Sequence, residues 1–229
     1  LKVVVIDLDA QANASYTLQS FRSGLVASAL FADVPRGLWP QTAIDLTAPN
    51  SPRMTLIASD VGLANLEKMS LAEAGAKFRD AIKALDAQGF DACLIDTAPS
   101  LGVGMAAALL AADHVLSPIE LEAYSIQGIK QMVTTIAHLR KANPKLQFLG
   151  MVPSKVDGRN PRHARHLEEL ERAYPQLMMP TGVGLRSSIA DALASRVPVW
   201  KIKKTAARKA TQEIRALAAH VFEKMEMTQ

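Results

Sequence analysis

Val3-Val4-Val5-Ile6-Asp7-Leu8-Asp9-Ala10-Gln11-Ala12-Asn13-Ala14-Ser15 is the stretch that decides the fold of this chain. Four consecutive β-branched residues leading into two carboxylates describe a buried strand that delivers acids to its carboxyl edge. A strand covered on both faces needs no polar alternation. That edge is where open parallel sheets bind their ligands. A second stretch, Phe90-Asp91-Ala92-Cys93-Leu94-Ile95-Asp96-Thr97-Ala98-Pro99, has the same design and ends in Asp96.

Working outward, strands and helices alternate, which predicts an α/β protein with a doubly wound, mostly parallel sheet. Ser70-Leu71-Ala72-Glu73 reads as a capping box opening a helix with Leu71, Phe78, Ile82 and Leu85 on one face, stopped at Gly89. A small-residue helix near 103–112, a strand from His114 to Pro118 and a helix from Ser125 that buries Ile126, Ile129, Val133 and Ile136 follow. Further on come a strand from Leu146 to Val152, a charged helix from Pro161 to Ala173 and a short strand from Leu177 to Met179. The closing helix carries Ile214, Leu217, Val221 and Phe222 inward. The Pro- and Trp-containing segment from Val34 to Pro52 reads as an irregular surface insertion. No repeat or linker marks a second domain, so residues 1–229 read as a single domain.

The 229 residues, 49% of them hydrophobic and 21% charged, are ample for a packed core and exclude a wholly disordered chain. No apolar run is long enough to span a bilayer. One cysteine, Cys93, excludes a disulfide framework or a thiolate cluster within one chain, and points to a cytoplasmic protein. In a strand, Cys93 reads as a small packing residue. A net charge of +4 permits contact with nucleic acid without requiring it.

Asp7 and Asp9, two apart, are expected to face the same side of the strand end. With Asp96 they suit a magnesium–phosphate site, because a hard cation prefers oxygen ligands and water. Strand-end acids also cap the helices that follow, and an isolated aliphatic-aliphatic-aliphatic-Asp string leaves both readings open. The longer strings Ile6-Asp7-Leu8-Asp9-x-Gln11-x-Asn13 and Leu94-Ile95-Asp96-Thr97-Ala98-Pro99 are more specific. They resemble the Asp-x-Asp-Pro-Gln and Walker-B strands of the ParA/MinD-type deviant-Walker-A partition ATPases. The likeness extends over essentially the whole chain and is nearest to the IncC-type plasmid partition proteins.

That resemblance implies a P-loop-type ATPase using ATP and Mg2+. Asp9 would orient the attacking water, Asp7 would support the metal and switch I, and Asp96 would hold magnesium through water, with Thr97-Ala98-Pro99 as switch II. It also implies a homodimer, non-specific binding of duplex DNA on the nucleoid, and a centromere-binding ParB-type partner. Two departures stand out. Ala10 occupies the usual proline position, and no Gly-x-x-x-x-Gly-Lys-Ser/Thr loop occurs in these residues. The first strand and phosphate loop are therefore expected upstream of Leu1, and the 229 residues alone are expected to be inactive. Gly102-Val103-Gly104 and Gly182-Val183-Gly184 are not followed by Lys-Ser/Thr and read as flexible turns.

Ser154-Lys155-Val156-Asp157-Gly158-Arg159, expected as a loop after a strand, matches the family's base-binding position. Ser154 and Asp157 are candidates there, with the 182–186 loop and its Arg186 as the other wall. Residues 196–209 hold Lys201, Lys203, Lys204, Arg208 and Lys209 without an acid, and Arg159, Arg162, Arg165 and Arg172 form a second basic group. These fit a surface that touches duplex phosphates, or an ordinary solvated face; no aromatic interleaving suggests base stacking. His163 and His166, flanked by Arg162 and Arg165, read as solvated or DNA-facing rather than metal ligands. The shortage of cysteines argues against nitrogenase-type iron proteins, and the mixed charge of residues 222–227 against a MinD-like membrane helix. A cobyrinate-amidase or dethiobiotin-synthetase-like enzyme, and a non-catalytic module that binds DNA or a partner, are the alternatives.

Overall fold

The computed structural model describes residues 1–33, 53–100, 102–121 and 125–227. The expected insertion from Val34 to Pro52 lies outside the described residues, as does the side chain of Ile126. Two compact units, Leu1–Ala112 and Asp113–Gln229, are each described by themselves.

The first unit holds strands β1 (Val3–Asp7), β2 (Arg22–Val26), β3 (Met54–Ala58) and β4 (Ala92–Asp96), with helices α1 (Asn13–Thr17), α2 (Leu71–Asp86) and α3 (Val103–Ala111). Its sheet has the order β2-β3-β1-β4, and every ladder is parallel. Alternation along β1 sends Val4 and Ile6 to one face, against Phe78 and Leu85 of α2 and Ala107 of α3. Val5 goes to the other face with Leu56 and Ala58. Both faces of β1 are thus apolar, which is why its sequence does not alternate. Half of the expected capping box forms: Ser70 Oγ accepts from the Glu73 N–H at 3.2 Å, while the Glu73 carboxylate accepts from Lys77 at 2.8 Å instead of turning back to the Ser70 N–H. α2 ends at Asp86, one turn before Gly89, whose positive φ closes the turn. Leu71, expected inward, is 39% exposed because it occupies the first turn.

The second unit holds β5 (His114–Glu120), β6 (Gln147–Val156) and β7 (Val183–Gly184), with α4 (Ser125–Leu139), α5 (Pro161–Ala173), α6 (Ser187–Ala194) and α7 (Thr205–Lys224). The sheet order is β5-β6-β7, again parallel. Leu121, Ile129, Met151 and Leu170 form one core; Ala192, Val199, Ala207 and Ala210 form a smaller one under α7.

Several expectations are corrected. β6 continues to Val156, held by pairing with β5 as far as Glu120–Ser154 and by β7, so Ser154 belongs to the strand and not to a loop. Residues 177–179 make only a bridge, Met151–Met178, and the third strand of the sheet is Val183–Gly184, within a segment expected to be a flexible turn. Gly150 has φ 140°, and a Cβ there would meet the Leu177 carbonyl oxygen at 3.0 Å, so glycine is what lets this bridge close. Gly102 and Gly104 likewise do not form a turn: Gly102 caps α3 and Gly104 lies inside it. Phe222 is 42% exposed, because the packed stripe of α7 begins with Ala207 and Ala210.

Candidate functional site

β1 and β4 run side by side in parallel, and their register places Asp7 directly opposite Asp96 at the carboxyl ends of both strands. The Leu8 N–H donates to the Asp96 carbonyl at 2.8 Å and locks the two ends together. β1 stops at Asp7, so Asp9 is not on the strand, as alternation had implied, but in the turn beyond it.

The three acids differ in their surroundings. Asp7 is fully buried, and both carboxylate oxygens are engaged: Oδ1 accepts the Asp9 N–H at 3.0 Å and Oδ2 the Ser15 N–H at 2.7 Å. Asp9 is half-buried; its Oδ1 accepts the Gln11 N–H at 2.9 Å in a local turn. Asp96 is exposed at the strand end. Partial desolvation, and then the negative charges of Asp7 and Asp9, push its carboxyl above the ordinary range, against a hydrogen bond from the Thr97 backbone.

Among the described residues, no group of three His, Cys, Asp or Glu side chains is arranged to hold a metal by itself. The donor set nevertheless suits Mg2+, which keeps several waters and takes only one or two carboxylates from a protein. Backbone N–H groups take both oxygens of Asp7, whereas Asp96 is exposed and Asp9 half-buried, and a cation would relieve the repulsion felt at Asp96.

Two serines that the sequence reading missed complete this edge. The Ser59 N–H donates to Ser15 Oγ at 2.8 Å, and Ser59 Oγ donates to the Asp9 carbonyl at 2.7 Å. The available signal was the position of Ser59, directly after the buried run Leu56-Ile57-Ala58. Cys93 matches its packing role: it sits against the core, and burial pushes its thiol up to about 12.

In the second unit, Asp157 accepts from the Arg159 N–H at 3.0 Å and from its guanidinium at 3.1 and 3.2 Å. Those bonds hold its carboxyl below the usual range. The Asp157 N–H donates to His163 Nδ1 at 3.1 Å, and His166 Nδ1 lies 3.0 Å from the Leu121 carbonyl. Both histidines have hydrogen-bond partners on Nδ1 and remain partly exposed. The Arg186 guanidinium grips Glu213 of α7 through Nε at 2.8 Å and through Nη2.

Of the basic residues, Lys201, Lys203, Arg208, Lys209, Arg162 and Arg165 are all exposed. Lys204 is exposed too, but its ammonium bonds Asp191 of α6 at 2.6 Å, so the acid absent from 196–209 arrives from another helix. Trp200, beside Lys201, is 52% exposed, an aromatic within the basic segment that the sequence reading had passed over. Neither α5 nor α7 has an acid in its first turn, so the charge at both helix starts is basic.

Parallel ladders with carboxylates gathered at the carboxyl ends of adjacent strands define an α/β protein with the sheet edge at which such folds bind ligands. Residues 1–148 match a family model described as an AAA domain. Protein IncC of Escherichia coli is 68% identical over 229 residues, covering 100% of this chain and 63% of that protein. The chromosome partitioning protein ParA of Caulobacter vibrioides is 30% identical over 167 residues, 69% of this chain and 60% of that protein. Among solved structures, cobyrinic acid a,c-diamide synthase from Mycobacterium smegmatis with bound ATP analogue and magnesium has a TM-score of 0.70 at 25% identity. It covers 96% of this chain and 82% of that one. The chain belongs to the AAA-domain family, and its sequence is similar to ParA-type partition proteins. It spans 63% of the length of the IncC relative.

Proposed function

We propose that the protein is a plasmid-partition ATPase whose 229 residues serve as one ATPase domain, cytoplasmic and associated with the nucleoid. The observation that carries this reading is the pairing of Asp7 with Asp96 on adjacent strand ends, with Asp9 in the turn above them. Asp96 would hold Mg2+ through water, and Asp9 would orient the water that attacks the terminal phosphate. Mg2+ supplies charge neutralisation at the phosphates; positioning and electrostatics do most of the remaining work in phosphoryl transfer. Asp7, both oxygens committed to backbone N–H groups, would shape the turn. Ser154, Asp157 and Arg186 are proposed to lie near the base. The exposed Lys201, Lys203, Arg208 and Lys209, with Arg162 and Arg165, would meet duplex phosphates. A homodimer and a ParB-type partner complete the proposal.

Among the described residues no helix is long and apolar enough to cross a bilayer. The likeness to the diamide synthase supports use of ATP and magnesium, while 68% identity to IncC against 25% favours partition over small-molecule amidation.

Asp9→Ala in the protein expressed from its complete reading frame tests the reading. ATP binding should persist and turnover should fall by at least about a hundredfold, as expected when a group acts only on the reacting water. Hydrolysis at the parental rate would refute the role of Asp9.

A further inference from the structure

The turn between β1 and α1 must hold Asp9 in place; Leu8, buried in the core, anchors its start and donates its N–H to the Asp96 carbonyl at 2.8 Å. Past Leu8 the turn's other bonds are mostly internal: Asp7 takes the Asp9 and Ser15 N–H groups, and the Asp9 carbonyl takes the Ala12 N–H at 2.9 Å. Ala12, at φ 55°, occupies the left-handed region, so the turn is held in a conformation an alanine adopts only under constraint. The external constraint is Ser59. Its hydroxyl donates to the Asp9 carbonyl at 2.7 Å, and its N–H donates to Ser15 Oγ at 2.8 Å, gripping both ends of the turn at once.

Ser59 is itself a fixed post. On one side Ala58 closes β3, paired with Val26 of β2. On the other, the Asp60 carboxylate accepts from the Ser28 N–H at 2.9 Å, Ser28 Oγ at 2.7 Å and the Gly62 N–H at 2.9 Å, anchoring the chain as it leaves the strand. A residue fixed on both sides transmits the position of one strand to a turn on its neighbour.

We propose that Ser59 is the positioning residue for Asp9, setting where its carboxylate stands through the Ser59–Asp9 and Ser59–Ser15 hydrogen bonds. The inference rests on the proposed water-orienting role of Asp9. A carboxylate that orients water loses much of its effect on a displacement of about 1 Å, a change that costs on the order of a hundredfold in rate when geometry governs the step. Substrate binding, made elsewhere, is untouched.

Ser59→Ala, Ser59→Thr and Asp9→Ala are compared in the protein expressed from its complete reading frame. Ser59→Ala should lower kcat for ATP between about tenfold and a hundredfold with KM unchanged. It should also speed hydrogen exchange at the Asp9 and Ala12 amides without nucleotide. Ser59→Thr, which keeps the hydroxyl, should restore both. Parental kcat in Ser59→Ala with Asp9→Ala inactive would overturn the Ser59 proposal alone. Turnover retained in Asp9→Ala would remove the reading beneath it. Equal loss of kcat and of thermal stability in Ser59→Ala and Ser59→Thr would show a packing effect and overturn the positioning role.

Discussion

Replacing Glu213 with Gln removes one negative charge from the contact that ties α7 to β7 and to the start of α6. In the native chain three N–H groups converge on this carboxylate: Nε and Nη2 of Arg186, and the Gly184 N–H at 3.2 Å. Glutamine fits the same space but offers one acceptor oxygen, so an amide NH2 is turned toward one of the donors. A net hydrogen bond to a charged group is worth about 1.5–3 kcal/mol. The side chains of Arg186 and Glu213 are 24% and 19% exposed, so water partly replaces what is lost. Together these place the cost at about 2 kcal/mol, or a fall in Tm of about 4–8 °C at this chain length.

The pH dependence carries a sign. Burial raises the Glu213 pKa, but the Arg186 and Gly184 hydrogen bonds and the Arg186 charge outweigh it, and the net shift is downward. A group whose folded pKa is depressed contributes stability above its unfolded pKa of about 4.3 and loses it as pH falls through the folded value. Urea denaturation at pH 7 and at pH 2.5 should therefore show the full gap between parent and variant at the higher pH and little at the lower. A gap below about 0.5 kcal/mol at pH 7, within the range of ordinary surface changes, would mean the pair is effectively solvated. A gap that persists undiminished at pH 2.5 would assign the effect to packing.

Asp96→Asn should stabilise the fold at pH 7. The raised carboxyl pKa means stability falls as pH rises from the unfolded pKa through the folded one, so an uncharged isostere removes a cost that exists only near and above that window. Matched urea curves at pH 7 and pH 3 should show the gain only at pH 7, and a variant less stable than the parent at pH 7 would contradict it. Changing Lys203, Arg208 and Lys209 to Ala should weaken binding to random duplex equally across sequences, each lost phosphate contact flattening the log–log salt dependence by about 0.9. Lys204→Ala should flatten it less, because Asp191 already holds that ammonium. Fluorescence anisotropy at several salt concentrations measures both, and an unchanged slope in the triple variant would leave these residues as a solvated face.

What the sequence carried well was whatever depends on local pattern. The β-branched run of β1, the Ser70 N-cap and the Pro161 helix start are written within a few residues of themselves, and each appears as expected. What it carried poorly was whatever depends on a partner distant in the chain. β6 reads as ending at Val152 because Pro153 interrupts the apolar run, yet pairing with Glu120 and with β7 extends it. Asp191, thirteen residues before Lys204, neutralises a charge that looked unopposed.

The acids at the strand ends show both halves of that limit together. Their positions follow from two local strings, but their division of labour does not. Only the register that sets Asp7 against Asp96, and the N–H groups of Asp9 and Ser15 that close around Asp7, reveal that this one carboxylate is buried with both oxygens bonded while its neighbours keep contact with solvent. Ser59 extends the point: a serine 50 residues from Asp9 has no pattern of its own, and becomes visible only once β3 is laid beside β1. Spacing identifies which atoms are available for chemistry; hydrogen-bond accounting across strands decides which of them remain free to perform it.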